Sequence, residues 1–259
     1  MRKVLLPFGL IVALLAVWEL LAQTGALAEL LGIRESVADT IVPAPSDVAR
    51  SLWEDRDLLA ENGWITLQEM LGGLAIAFVL GAGFAIVLHL SDTLRRAFYP
   101  VLVASQTIPI VAIAAVLVIW LGFGIGPKLA VIALICFFPI TVNMLDGLRS
   151  VDASAVRMMR TLDGSRGAIL RRLELPASLP QFFSGARIAV AIAPIGAVLG
   201  EFVGANGGLG YLITQANANL LTARVFAAIV VLSAFALALF LLIEVLERAF
   251  APWGGKELR

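Results

Sequence analysis

The residues best placed to do chemistry lie in one polar stretch, 152–181. Arg157, Arg160, Arg166, Arg171 and Arg172 stand there against Asp152, Asp163 and Glu174. A basic insert this long between apolar runs suits contact with a partner that applies force, or else rests on anionic lipid. The rest of the chain offers little bond-making or bond-breaking chemistry. It has no GxxxxGK[ST], HExxH or GxSxG motif and no Cys/His cluster. His89 is the sole histidine and Cys136 the sole cysteine, so no internal disulfide forms and a metal site is not expected. Intramembrane carboxylates are few, and no Asp/Glu/His chain crosses the apolar runs as a proton-coupled carrier would need. The energy for any transport must then come from elsewhere.

The elements that position this stretch are membrane spans. The 259-residue chain is 60% hydrophobic and 15% charged, with a mean hydropathy of +0.96. Soluble domains are nearer half apolar and a quarter charged. Apolar runs predict six transmembrane helices, at about 4–22, 64–90, 97–121, 129–148, 183–202 and 225–246. The first resembles a signal sequence, but its length and the lack of a clear cleavage site favour a retained helix. With the N-terminus inside, Arg2, Lys3, Arg95, Arg96, Arg149, Arg187, Arg248, Lys256, Arg259 and the loop arginines are cytoplasmic. Only Arg34, Arg50, Arg56, Lys128 and Arg224 are outside. That bias places both termini and the 152–181 loop in the cytoplasm.

Other features are weaker. The acidic outer loop, 23–63, contains Pro43-Ala44-Pro45-Ser46, with Ser46 a candidate N-cap for a helix over 47–53. It is either a solvated loop or a docking surface for an external partner. Pro109, after Ser105, Gln106 and Thr107, predicts a kink in span three. Gln106, Pro109 and Asn143 are candidates for lining a pathway. Gly185, Ala189, Ala193 and Ala197 form a small-residue ladder, and Gly196, Gly200, Gly204 and Gly208 a second. These favour close helix packing, or a span beside the pathway with Gly196, Gly200 and Glu201 facing it. The glycine-rich turn from Gly204 leads into polar residues at Thr214, Gln215, Asn217 and Asn219.

In the central loop, Leu175-Pro176 with Leu173 two residues before fits the end of a known pattern. Pro180, Gly185, Ala186 and Arg187 follow. The loop resembles the cytoplasmic EAA loop of ABC-importer permeases, although the EAA positions hold Arg157-Met158-Met159 and the glycine position holds Asp163, with Gly164 next. Pro43-Ala44-Pro45-Ser46, Ile108-Pro109, Trp120-Leu121-Gly122-Phe123-Gly124 and Gly200-Glu201-Phe202 with Gly208-Leu209-Gly210-Tyr211 resemble the nitrate/sulfonate/taurine branch. The end of the chain is most similar to permeases for thiamine-precursor pyrimidines.

The resemblance implies an all-α, type I ABC-importer permease fold. The first helix and outer loop would occupy 1–63, the permease core 64–248 and a cytoplasmic tail 249–259. Two short crossed helices in the loop, stopped by Pro176, would form a knob for an ATPase subunit. Met158, Met159, Leu162, Asp163 and Gly164 are the expected buried contacts, with Arg160 and Arg166 making polar ones. Arg157, Leu173, Leu175 and Pro176 complete the coupling set. The resemblance further implies a bacterial inner-membrane location, an extracytoplasmic binding protein and a permease homodimer. ATP and Mg would bind the partner ATPase, with no cofactor in this chain. A secondary transporter and a non-transporting scaffold are the rival readings.

Overall fold

The structure, a computed structural model, describes residues 2–24 and 42–253, with side chains from residue 9 onward in the first stretch. Glu29, Arg34, Glu35, Asp39, Lys256 and Arg259 lie outside the described residues, as do the side chains of Arg2 and Lys3. All regular elements among the described residues are helical: α1 (Arg2–Gln23), α2 (Pro45–Glu54), α3 (Arg56–Leu90), α4 (Asp92–Ser105), α5 (Ile110–Leu121), α6 (Ile125–Arg149), α7 (Ala153–Thr161), α8 (Arg166–Ile169), α9 (Leu175–Phe202), α10 (Leu209–Ala218) and α11 (Thr222–Phe250). A π-helical turn, Leu170–Glu174, joins α8 to α9.

Four of the long helices are apolar enough to cross a membrane, and the bent pair α4–α5 makes a fifth if counted as one span. Span three is therefore broken rather than kinked: α4 and α5 meet at 102°. Pro109 is the N-cap of α5, not a helix-interior residue. The local chemistry accounts for the break. The residue before proline is biased away from helical geometry. The Ser105 and Thr107 hydroxyls donate to the Leu102 and Ala104 carbonyls at 2.7 and 2.8 Å, satisfying backbone acceptors where the helix ends. Positive φ angles at Gly122 (76°) and Gly124 (126°) then turn the chain from α5 into α6.

Contacts divide the chain into two compact units. The first contains Met1–Ile65 and Asn206–Leu232. Within it Ser46 is not the expected N-cap; Pro45 starts α2 behind Ala44. The Ser46 N–H and hydroxyl instead donate to Glu19 at 3.0 and 2.7 Å, tying α2 to α1. Arg224 donates to both Asp55 oxygens, at 2.6 and 3.0 Å. Opposed by partial burial, this guanidinium still holds the Asp55 carboxyl below the ordinary carboxylate range. The Gly208 N–H donates to Asn62 Oδ1 at 2.9 Å, fixing the start of α10.

The second unit contains Thr66–Ala205 and Ser233–Arg259. Its core joins α3, α6 and α9 through Met70, Ala77, Ile132, Cys136, Ile140, Ala189 and Ala193. The α6–α9 pairing is extensive. Small residues permit it: a Cβ on Gly185 would stand 2.6 Å from the Pro139 carbonyl oxygen.

Candidate functional site: a coupling loop and two polar clusters

The polar stretch forms one short helix, α7, and a second segment that does not stop at Pro176. α8, the π turn and α9 run on as one 37-residue apolar helix, Arg166–Phe202. The expected pair of separate crossed helices is thus one free helix plus the inner extension of a span. In a regular α-helix, a proline ring clashes with the carbonyl four residues back. The π turn lies at that position, with the Leu175 N–H donating to the Leu170 carbonyl. Its wider winding admits Pro176 without ending the helix.

Helix α7 has a polar start and a specific stop. Asp152 caps it by accepting the Ser154 N–H at 2.8 Å. That backbone bond holds the Asp152 carboxyl below its ordinary range. At the other end, the Asp163 N–H donates to the Arg160 carbonyl at 3.1 Å and the Gly164 N–H to the Met159 carbonyl at 2.9 Å. With Asp163 left-handed at φ 59°, these bonds form a Schellman stop. The glycine position of the resembling pattern therefore coincides with the residue that adopts glycine-like geometry. Gly164 is constrained by space instead: a Cβ there would meet the Met159 carbonyl oxygen at 2.6 Å.

This stop leaves Met158 66% and Leu162 73% exposed. Arg157, Arg160, Asp163 and Arg166 are exposed beside them, while Met159, Gly164, Leu173, Leu175 and Pro176 are half-buried. Glu174 anchors the loop from within. It accepts Arg166 Nη1 at 2.6 Å and lies 3.0 Å from His89 Nε2, joining the π turn to the end of α3. Neither Glu174 nor His89 stood out as a site residue in the sequence. The available signal was a lone histidine near a span end and one glutamate among the loop arginines.

The second cluster is buried. Lys128 donates to Glu69 Oε1 at 2.6 Å, and the Thr66 hydroxyl donates to Glu201 Oε1 at 2.7 Å. All four residues are buried. Glu69, Thr66 and Lys128 are thus core residues. Glu201, a candidate for the pathway, is buried against α3. A Cβ on Gly200 would lie 3.1 Å from Lys128 Cα, and one on Gly196 3.0 Å from Ile132 Cα, so both glycines admit α6. Asn143 donates to the Pro139 carbonyl at 2.7 Å beside Gly185. Gln106 and Pro109 are exposed at the helix break. The six expected path residues therefore fall into two groups: two at the break and four along the α6–α9 seam.

A cleft of about 510 Å³ lies in the first unit, lined by residues including Asp47, Arg50, Glu54, Asp55 and Arg224. No group of three or more His, Cys, Asp or Glu side chains suited to a metal occurs among the described residues.

Comparison with known proteins supplies the context. A family model described as the inner membrane component of binding-protein-dependent transport systems matches residues 73–252. A probable ABC transporter permease protein of Haemophilus influenzae is 37% identical over 248 residues, 96% of this chain and 97% of that one. The formylaminopyrimidine transport permease protein ThiX of Halalkalibacterium halodurans is 38% identical over 218 residues, 84% of this chain and 87% of that one. The taurine transport system permease protein TauC of Escherichia coli is 30% identical over 259 residues, 98% and 92% of the two chains. Among solved structures, a chain of the inward-facing MetNI methionine ABC transporter shares the fold. Its TM-score is 0.66 at 20% identity, covering 78% of this chain and 98% of that one.

Proposed function

We propose a mechanism from the premise that this chain belongs to the binding-protein-dependent transport family and is the transmembrane permease subunit of an ABC importer. ATP and Mg bind two partner ATPase subunits, and this chain does not hydrolyse ATP. Each ATPase receives α7 in a surface cleft. The observation that carries this reading is the pair of long apolar side chains, Met158 and Leu162, left exposed at the capped helix α7. Arg157, Arg160 and Arg166 surround them with charge suited to carboxylates on the ATPase.

Closure of the ATPase pair draws the loops together. Force passes through Glu174 to α3 and through the unbroken Arg166–Phe202 helix into the bundle. Two permease copies enclose the path, with Gln106 and Pro109 at the break in α4–α5 facing it. An external binding protein delivers solute to the surface formed by the first unit, with both termini of the permease in the cytoplasm. Identity to the formylaminopyrimidine and taurine permeases favours a small polar solute, and the higher identity favours a pyrimidine thiamine precursor.

Co-purification with the ATPase, followed by ATP hydrolysis in lipid, tests the reading. Wild type retains the ATPase. Gly164→Arg drives a side chain into the Met159 carbonyl and loses it. Leu162→Glu, which leaves the α7 stop intact, also loses it. Ion-gradient-driven uptake without any ATPase would replace this mechanism with a secondary transporter.

A further inference from the structure

We infer that the cleft beneath α7 is a binding site for a phosphate-bearing anion. It has a volume of about 510 Å³, and its lining includes Arg95, Arg149, Arg157 and Arg160 with Asp92 and Glu174. Its guanidinium groups come from three helices: Arg95 from α4, Arg149 from α6, and Arg157 and Arg160 from α7. Both lining carboxylates already hold cations. Asp92 accepts Arg95 at 2.7 Å, and Glu174 accepts Arg166 at 2.6 Å and lies against His89. Arg149, Arg157 and Arg160 form no close ion pair among the described residues; Asp92 and Asp152 act on Arg149 and Arg157 only at longer range, so the cleft lining stays net positive. Arg95 and Arg149 also line an adjoining cavity of about 350 Å³ with Arg96, Tyr99 and Asp146.

The chemistry selects phosphate. Planar guanidinium forks bind phosphate oxygens bidentately, and several arginines from different elements converge on a tetrahedral anion better than on a flat carboxylate. The volume lies within the range of small-molecule sites. Position narrows the source to two. His89 is in the last turn of α3, Asp92 in the first of α4, and Arg149 ends α6. The cleft is thus level with the span ends, where anionic headgroups meet basic pockets. A glycerophospholipid headgroup and a free phosphate both fit it. The site does not depend on which solute is transported.

The test uses the full chain in nanodiscs of phosphatidylcholine, alone or with an equal part of phosphatidylglycerol. Phosphatidylglycerol retained through detergent extraction is counted by native mass spectrometry, and inorganic phosphate binding is measured by calorimetry in the phosphatidylcholine discs. Arg149→Gln and the double variant Arg95→Gln/Arg149→Gln are compared with Arg248→Gln, which removes a cation from the end of α11 outside the cleft. Loss of two guanidinium contacts weakens anion binding by about tenfold or more. Retained phosphatidylglycerol that falls in the cleft variants and survives Arg248→Gln assigns the site to lipid. Phosphate binding with the same variant pattern assigns it to a free anion. Equal loss in Arg248→Gln, or no difference between wild type and Arg149→Gln for either anion, overturns the inference. The single variant keeps the test valid if the double variant fails to fold.

Discussion

The second unit holds two buried carboxylate clusters near the two ends of α6, and they differ in closure. Near Lys128, in the first turn, Glu69 and Glu201 are 2% and 1% exposed, and Thr66 is fully buried. Every member belongs to a long span or its first turn, and Gly200 lets α6 press close enough to seal the charges in. Near Arg149, at the other end, the Glu174 side chain is 5% exposed but its partner Arg166 is 42% exposed. That cluster joins a span to a loop. The first has the structure of a rivet between helices, and the second that of a joint with one side wet.

Substitutions break this comparison in order of size. Lys128→Met removes the cation paired with buried Glu69. Breaking a buried ion pair from one side costs about 3–5 kcal/mol. The protein should lose most of its folded yield and melt far lower in detergent; an unchanged melt would mean that packing alone closes the first cluster. Glu174→Gln keeps shape and volume but weakens the Arg166 contact. With Arg166 partly solvated, the stability loss is about 1 kcal/mol. Its larger consequence is in coupling: solute-stimulated ATP hydrolysis by the assembled importer should fall about fivefold while ATPase binding persists. If binding is lost together with hydrolysis, Glu174 shapes the docking face rather than transmitting force. The smallest effect belongs to the α7 stop. Asp163→Gly relieves a left-handed non-glycine residue and should stabilise the loop by up to about 1 kcal/mol. Slower amide hydrogen exchange at Gly164 would report it; faster exchange would show that the aspartate side chain itself supports the turn.

The first cluster was nearly illegible in the sequence and the second was half legible, for physical reasons. Five of the six expected spans follow from apolar runs, since lipid imposes one requirement on every spanning segment. Glu69 and Lys128 lie near the ends of apolar runs, where charge ordinarily meets water. Only their pairing across 59 positions removes them from it. Pro109 and Pro176 show the limit from the other side. Both threaten a helix, yet Pro109 begins one after neighbouring hydroxyls satisfy the preceding carbonyls, and Pro176 continues one after a π turn widens the helix ahead of it. The residue type announced a disturbance, while neighbouring hydrogen bonds decided its form. The exposed helix α7 was legible because its polarity and the turn that ends it are local.

The π turn also has a bearing on chain length. An α-helix advances about 100° and 1.5 Å per residue, and a π turn accommodates one extra residue without lengthening the ladder around it. Removing one residue from Leu170–Glu174 would therefore let the turn close to regular winding with the segments on either side left in nearly the same orientation. Removing one residue from the regular helix that follows would instead rotate everything on its N-terminal side by about 100° relative to the span. Glu174 would then swing away from His89, and α7 would face a different way. The direction in which the loop points is encoded by residue count as well as residue identity, and an alignment gap has a rotational meaning outside the π turn that it lacks within it.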